Sequence, residues 1–423
     1  MLEKVYSGLP FFYNWDETRQ GIISCHVRLK ESLDCQVLEE VVNEALEIHE
    51  HFKVRLVVEN NNVYYEYNEK RARVYEGVDE DFALIRDTED YLFAFRVVRE
   101  MVYLDVFHLL SDGDGVIAFC KTVALLYFSK VHRDDADWNT LIEKRAKLYA
   151  GERQKIDPYT TDKVVHYEGK GGKESISEFL QLYEDGDTEK YINIKWNHEE
   201  FCQKSPVGVW NPYIVVNVLL GNTIEELCHG EEQIGAYMPI NMRKRVGVKD
   251  SMFNCLSYTN VKHIVRTSDM SLYEQCREYA NSLKMHYGVD NSLHIMSEDE
   301  KFIEIMQNEK LSISRKCGIV RGITRKTQRM RGTFGMSYIQ FCKEEEVYKR
   351  YIKELVVCPP NSNIGIVCEM ILLGDEINLC IRYGDKQKDI ISKLIQEMKD
   401  LNIDICVQDV ADINTKIAIE LLK

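Results

Sequence analysis

The chain has 423 residues, of which 45% are hydrophobic and 29% charged, and its formal net charge is −15. This length predicts two or three domains of roughly 100–200 residues each, and the acidic balance argues against a nucleic-acid-binding surface, which needs a basic face. The longest apolar runs, Val215 to Leu220 and Ile364 to Leu373, are far shorter than the roughly 20 residues that span a bilayer.

Near the start, Leu9-Pro10-Phe11-Phe12-Tyr13 is an apolar cluster expected to pack against the first domain. Gly21 to Lys30 reads as a strand. Asp34 to Glu50 carries Val37, Leu38, Val41, Val42, Ala45 and Leu46 at the spacing of an amphipathic helix. Phe52 to Val58 and Val63 to Tyr67 then form a hairpin that turns at Asn60-Asn61-Asn62. His49 and His51 are not spaced to share one helical face. They are expected to favour the helix C-terminus by charge rather than to bind a metal.

Two more apolar strands, Tyr91 to Val98 and Met101 to Val106, turn at Arg99-Glu100. They lead into Val106-Phe107-His108-Leu109-Leu110-Ser111-Asp112-Gly113-Asp114-Gly115, and Val116 to Val131 follows with apolar residues at helical spacing. A histidine therefore ends a strand, an acidic glycine-rich turn follows, and a long helix begins. Catalytic side chains often occupy such loops, which are held by rigid elements on both sides. Asp114 is expected to cap the helix.

Residues 133–137 form a charged turn, and the polar stretch 151–173, with Pro158, Gly169, Gly171 and Gly172, predicts a domain crossing near 150–180. The division is drawn as 1–165 and 166–423. The second part reads as a strand at Tyr191 to Trp196, a short helix at Glu199 to Lys204, a buried helix at Trp210 to Leu220 and a strand at Ile234 to Ile240. It closes with strands at Ile364 to Leu373 and Glu376 to Arg382, a helix at Lys386 to Leu401 and a strand at Ile403 to Val407.

His-x-x-x-Asp-Gly at 108–113, between a hydrophobic strand and a helix, resembles the active-site signature of the CoA-dependent acyltransferase superfamily. That group includes chloramphenicol acetyltransferases, the condensation domains of nonribosomal peptide synthetases, and alcohol acetyltransferases. Many members have a second histidine where this chain has Phe107. Pro239-Ile240-Asn241-Met242-Arg243, with Asn254 following in the next strand, is similar to the family's second-domain passage. Gly332 to Ile339 is a weaker match, because Tyr338 and Gln340 stand where relatives have Asn and Gly. The resemblance covers most of the chain in order, and it is closest to the alcohol acetyltransferase branch. It implies an α/β (α+β) fold of two chloramphenicol-acetyltransferase-like sandwich subdomains, with an active-site tunnel between them.

It also implies roles. Acyl transfer from a thioester needs a base for the attacking group and a donor for the oxyanion. His108 is the expected base, since a neutral imidazole accepts a proton at neutral pH. Asp112 is expected to form a structural ion pair with Arg243, and Gly113 to keep the channel clear of a Cβ. Asn254, Ser257 and Tyr258 are the oxyanion candidates. Lys310 to Arg331 holds eight basic residues and no acid. Within it Arg325, Lys326 and Arg329 are expected to attract the phosphates of coenzyme A or of a carrier protein's pantetheine arm.

The co-substrates expected are an acyl-CoA and a small alcohol or amine, with no metal. Two alternatives are a stand-alone condensation enzyme using carrier-bound acyl groups and a binding protein that keeps the fold without the chemistry. Thirteen cysteines without a Cys-x-x-Cys pair, and a start that lacks a signal-peptide layout, predict a cytoplasmic location.

Overall fold

The computed structural model describes residues 2–15, 21–77, 81–168, 178–183, 188–228, 232–342, 346–410 and 415–419. Gly169, Gly171 and Gly172 lie outside them. The fold is mixed α/β, built on two main sheets.

The first sheet has five strands in the order Ile352–Cys358, Ile22–Leu29, Met101–Phe107, Phe93–Val98 and Val74–Glu76. Its first four strands pair antiparallel, and the turn between Phe93–Val98 and Met101–Phe107 is made by Arg99 at φ 58°. Helices Cys35–Ile48 and Gly113–Val131 pack together against this sheet. The Asp34 carboxylate accepts from the Gln36 and Val37 amides and so starts the first helix.

The second sheet has seven strands in the order Leu256–Lys262, Gly235–Asn241, Phe334–Cys342, Ile366–Leu373, Glu376–Gly384, Glu189–Asn197 and Cys406–Asp409. Helices Pro212–Cys228 and Lys388–Asp400 cover one face and share its core with Ile194, Met238, Cys368 and Leu379. The first of these begins at Pro212 rather than Trp210, since proline fits the opening turn, where no N–H donor is needed. The last strand begins at Cys406 rather than Ile403, which lies in the core.

A cut at 165/166 separates most of the two sheets but not the cores. Strand Ile352–Cys358 returns from the far part of the chain to pair with Ile22–Leu29. Met296, Ile303, Met306, Cys317 and Val320, from helices Val289–Met306 and Ile313–Thr327, also belong to the first core. Among the described residues, no helix is long and apolar enough to cross a membrane.

His49 and His51 do not serve as charges at the helix C-terminus, contrary to the expectation from sequence. Both are buried, so neither offers a charge to a helix end. Burial lowers their pKa values to about 3 and about 4. His49 Nε2 meets Thr122 Oγ1, and His51 Nε2 donates to the Leu110 carbonyl at 2.7 Å.

Candidate active site

His108 directly follows strand Met101–Phe107, and its N–H donates to the Gly21 carbonyl. The loop that leads to helix Gly113–Val131 is held from several directions. Tyr65 Oη donates to Leu109 O at 2.9 Å, and Ser111 Oγ donates to Met252 O at 2.5 Å. Gly8 approaches from the N-terminal segment so closely that an added Cβ would lie 2.2 Å from Leu109 O. That approach seats helix Leu9–Asn14 on the loop and stacks Phe11 on the imidazole, with ring centroids 3.8 Å apart and planes 12° from parallel.

The Asn254 side chain settles the state of the imidazole. Its Nδ2 donates to the carbonyls of His108 (2.8 Å) and Leu109 (3.2 Å), so its Oδ1 must face His108 Nδ1, at 2.9 Å. An amide oxygen only accepts, so Nδ1 carries the proton and Nε2 keeps its lone pair. Burial lowers the His108 pKa, and its own carbonyl, Asp112 and Asn254 offset only part of that. The ring is therefore a neutral base.

Asp112 faces away from the imidazole. It takes a two-pronged ion pair from Arg243, with Nη1 to Oδ2 at 2.9 Å and Nη2 to Oδ1 at 2.7 Å, and accepts from the Cys255 and Gly115 amides. Burial alone would raise its carboxyl, but Arg243 and the two amides outweigh that and hold it below the usual value. Arg243 also donates to Ser251 O and Phe253 O, so one guanidinium joins the histidine loop to segment 251–255. Asp112, not Asp114, caps the helix, because its carboxylate reaches Gly115 N. Asp114 lies within the first turn and accepts from Asn241 Nδ2 at 2.6 Å.

A cavity of about 1370 Å³ opens in front of His108, with walls from both parts of the chain. Gly113 lines it, and a Cβ there would meet Ile339 Cδ1 at 2.8 Å. The need at Gly113 is for room, since its φ lies outside the left-handed region.

The oxyanion candidates separate. Asn254 spends its donors on two carbonyls, and buried Ser257 donates to Ser292 O at 3.1 Å. Tyr258 lines the cavity with its hydroxyl unspent among the described residues. Arg325, Lys326 and Arg329 are exposed, and none of them lines the cavity. Helical periodicity gives that wall to Val320, Ile323, Thr324 and Thr327, while Arg329 meets Glu178 at 3.6 Å in solvent. Arg331 does line the cavity. Lys316 is buried and donates to Asn61 O and Asn62 Oδ1.

Sequence reasoning missed Phe11 and three acids, of which Asp157 and Glu369 are buried and Asp299 is half-buried. Asp157 is pushed up to about 6, Asp299 to about 7 and Glu369 to about 8, each chiefly by burial. A signal for Glu369 existed, because it is the one charged residue in an eight-residue apolar strand.

Several solved condensation domains, and a protein solved with ethyl coenzyme A, share this fold over nearly the whole chain. The starter condensation domain of rhizomide synthetase RzmA, in a variant solved with C8-CoA, has 9% identity and a TM-score of 0.59, with 95% of each chain covered. The condensation domain of the Monacolin K polyketide synthase MokA has 9% identity and a TM-score of 0.57, covering 95% of this chain and 96% of its own. TRI101 of F. graminearum, solved with ethyl coenzyme A, has 8% identity and a TM-score of 0.59, covering 97% of this chain and all of its own. No family model matches the chain, and no curated protein matches it in sequence.

Proposed function

We propose that the protein transfers an acyl group, acetyl in the simplest case, from coenzyme A to a small alcohol or amine, with His108 as general base. The observation that carries this reading is the tautomer. Asn254 fixes the proton on Nδ1, which leaves the lone pair on Nε2 for the acceptor's proton. The acceptor adds to the thioester carbonyl carbon, and the C–S bond breaks as the tetrahedral intermediate collapses. The departing sulfur takes the proton from the imidazolium. Tyr258 is assigned to the oxyanion, and its hydroxyl would supply one preorganised donor. Arg331 and Lys262, on the cavity wall, are assigned to the phosphates of the coenzyme, with Arg325, Lys326 and Arg329 outside on the rim.

The solved structures with C8-CoA and ethyl coenzyme A support a CoA thioester as the donor. The test is release of free thiol from acetyl-CoA and longer acyl-CoAs with a panel of alcohols and amines, comparing the wild type with His108→Ala. Acceptor-dependent release should fall by roughly 10²–10⁴-fold in the variant. Release that survives the substitution would remove His108 from the mechanism.

A further inference from the structure

Strand Ile366–Leu373 buries one carboxylate among seven apolar residues. Alternation along the strand sends Ile366, Cys368 and Met370 into the core beneath the sheet, while Val367 and Glu369 line the cavity. Glu369 is 9% exposed, and its Oε1 has no hydrogen-bond partner among the described residues. Its register partner in the adjoining strand is Ser337, which bonds the carboxyl and also lines the cavity.

Asp114 lies on the wall of the same cavity, close enough for the two acids to repel each other. Arg243 comes within 3.8 Å of Asp114, but Asp112 already holds that guanidinium. An acid that only filled a strand position would cost stability and contribute nothing, since it leaves the polar Oε1 buried without a hydrogen-bond partner among the described residues. General-base catalysis at His108 gives it no task either.

We propose that Glu369, together with Asp114, binds the positively charged nitrogen of the acceptor, so that the preferred acceptor is a small molecule bearing an ammonium group besides its attacking amine or hydroxyl. This rests on the reading of the cavity as an acyl-transfer site. The ammonium stays charged throughout and anchors the molecule. The second group, as a neutral amine or hydroxyl, adds to the thioester carbon and passes its proton to His108 Nε2, and coenzyme A leaves as the thiol. The carboxyl of Glu369, raised by burial to about 8, has no cation beside it among the described residues. Placing an ammonium there supplies the missing partner.

Two measurements separate this proposal from the reading beneath it. In the first, thiol release from acetyl-CoA is followed with 4-aminobutan-1-ol and with butan-1-ol. The wild type should favour the amino alcohol in kcat/KM by about tenfold or more, the scale of one charge-assisted hydrogen bond, and Glu369→Gln should erase that ratio. A folded Glu369→Gln variant that keeps the ratio overturns the proposal. Should that variant fail to fold, Asp114→Asn carries the same comparison.

In the second, 1,4-diaminobutane is titrated calorimetrically into each protein without acyl-CoA. Saturable binding that the substitution weakens supports the cation site even where neither acceptor releases thiol, an outcome that would sink acyl transfer alone. No binding to the wild type, or equal binding to both proteins, overturns the site.

Discussion

The chemistry proposed for His108 depends on which of its two nitrogens is free, and a neighbour decides that. With Asn254 Oδ1 accepting from Nδ1, the base is held in one tautomer, and burial keeps it neutral. The acid limb of kcat/KM should therefore lie below the ordinary histidine value of 6.5. A limb at or above that value would contradict a buried neutral base. On this proposal Asn254 positions the base, and Asn254→Ala should lower kcat by about fivefold or more, the scale of one net hydrogen bond. It should also move the acid limb further down, because the lost contact favoured the charged ring. A purely structural defect would lower kcat without moving the limb. The histidine itself was legible, since a strand end, a fixed spacing and a following helix are all local. Asn254 was noticed for a different task, because sequence shows an amide near the site but not where its donors are spent.

Helix Gly113–Val131 begins with a residue that has two jobs. Asp112 caps it through Gly115 and closes the ion pair with Arg243. Asparagine caps about as well as aspartate, so Asp112→Asn separates the two roles. It should cost roughly 3–5 kcal/mol, because it takes from the buried Arg243 guanidinium its two-pronged partner and leaves only the more distant Asp114 carboxylate at 3.8 Å. Chemical denaturation would measure this, and a loss under about 1 kcal/mol would mean that the cap, not the pair, matters. The Asp112 carboxyl is depressed, so its contribution is present at neutral pH and is lost as pH falls through a folded-state value below the ordinary 3.8. The helices expected at Asp34 to Glu50 and Lys386 to Leu401 agree to within two residues. The one expected at Trp210 to Leu220 runs on to Cys228, and helices Leu272–His286 and Val289–Met306 have no counterpart in the sequence reading. Errors arose where periodicity gives no direction. The basic run of Lys310 to Arg331 was identified as a unit, yet the helix turns Arg325 and Lys326 to solvent and gives Ile323 and Thr324 to the cavity. Asp114 reads as the cap from sequence because the helix starts three residues before its first apolar position, at Gly113.

The cavity belongs to neither part of the chain alone, since His108 and Gly113 line it from one side and Tyr258, Ile339 and Glu369 from the other. The order of elements along the sequence made two linked α/β units legible. The return of Ile352–Cys358 to the first sheet was not, because strand pairing across more than 300 residues leaves no local mark. Residues 1–165 expressed alone would lack that strand and the five core side chains given by helices Val289–Met306 and Ile313–Thr327. Such a fragment should unfold without a cooperative transition, and a sharp denaturant midpoint would show that the first core is self-sufficient.

The same strand sets a schedule for synthesis. Ile22–Leu29 has Met101–Phe107 on one side, and its other edge is filled only when Cys358 has been made, about 250 residues after Phe107. At roughly 5–20 residues per second, the nascent chain carries an open, largely apolar strand edge for about 12–50 s. Solubility during production should therefore depend on elongation speed and on whatever shields that edge, even for variants whose finished fold is as stable as the wild type.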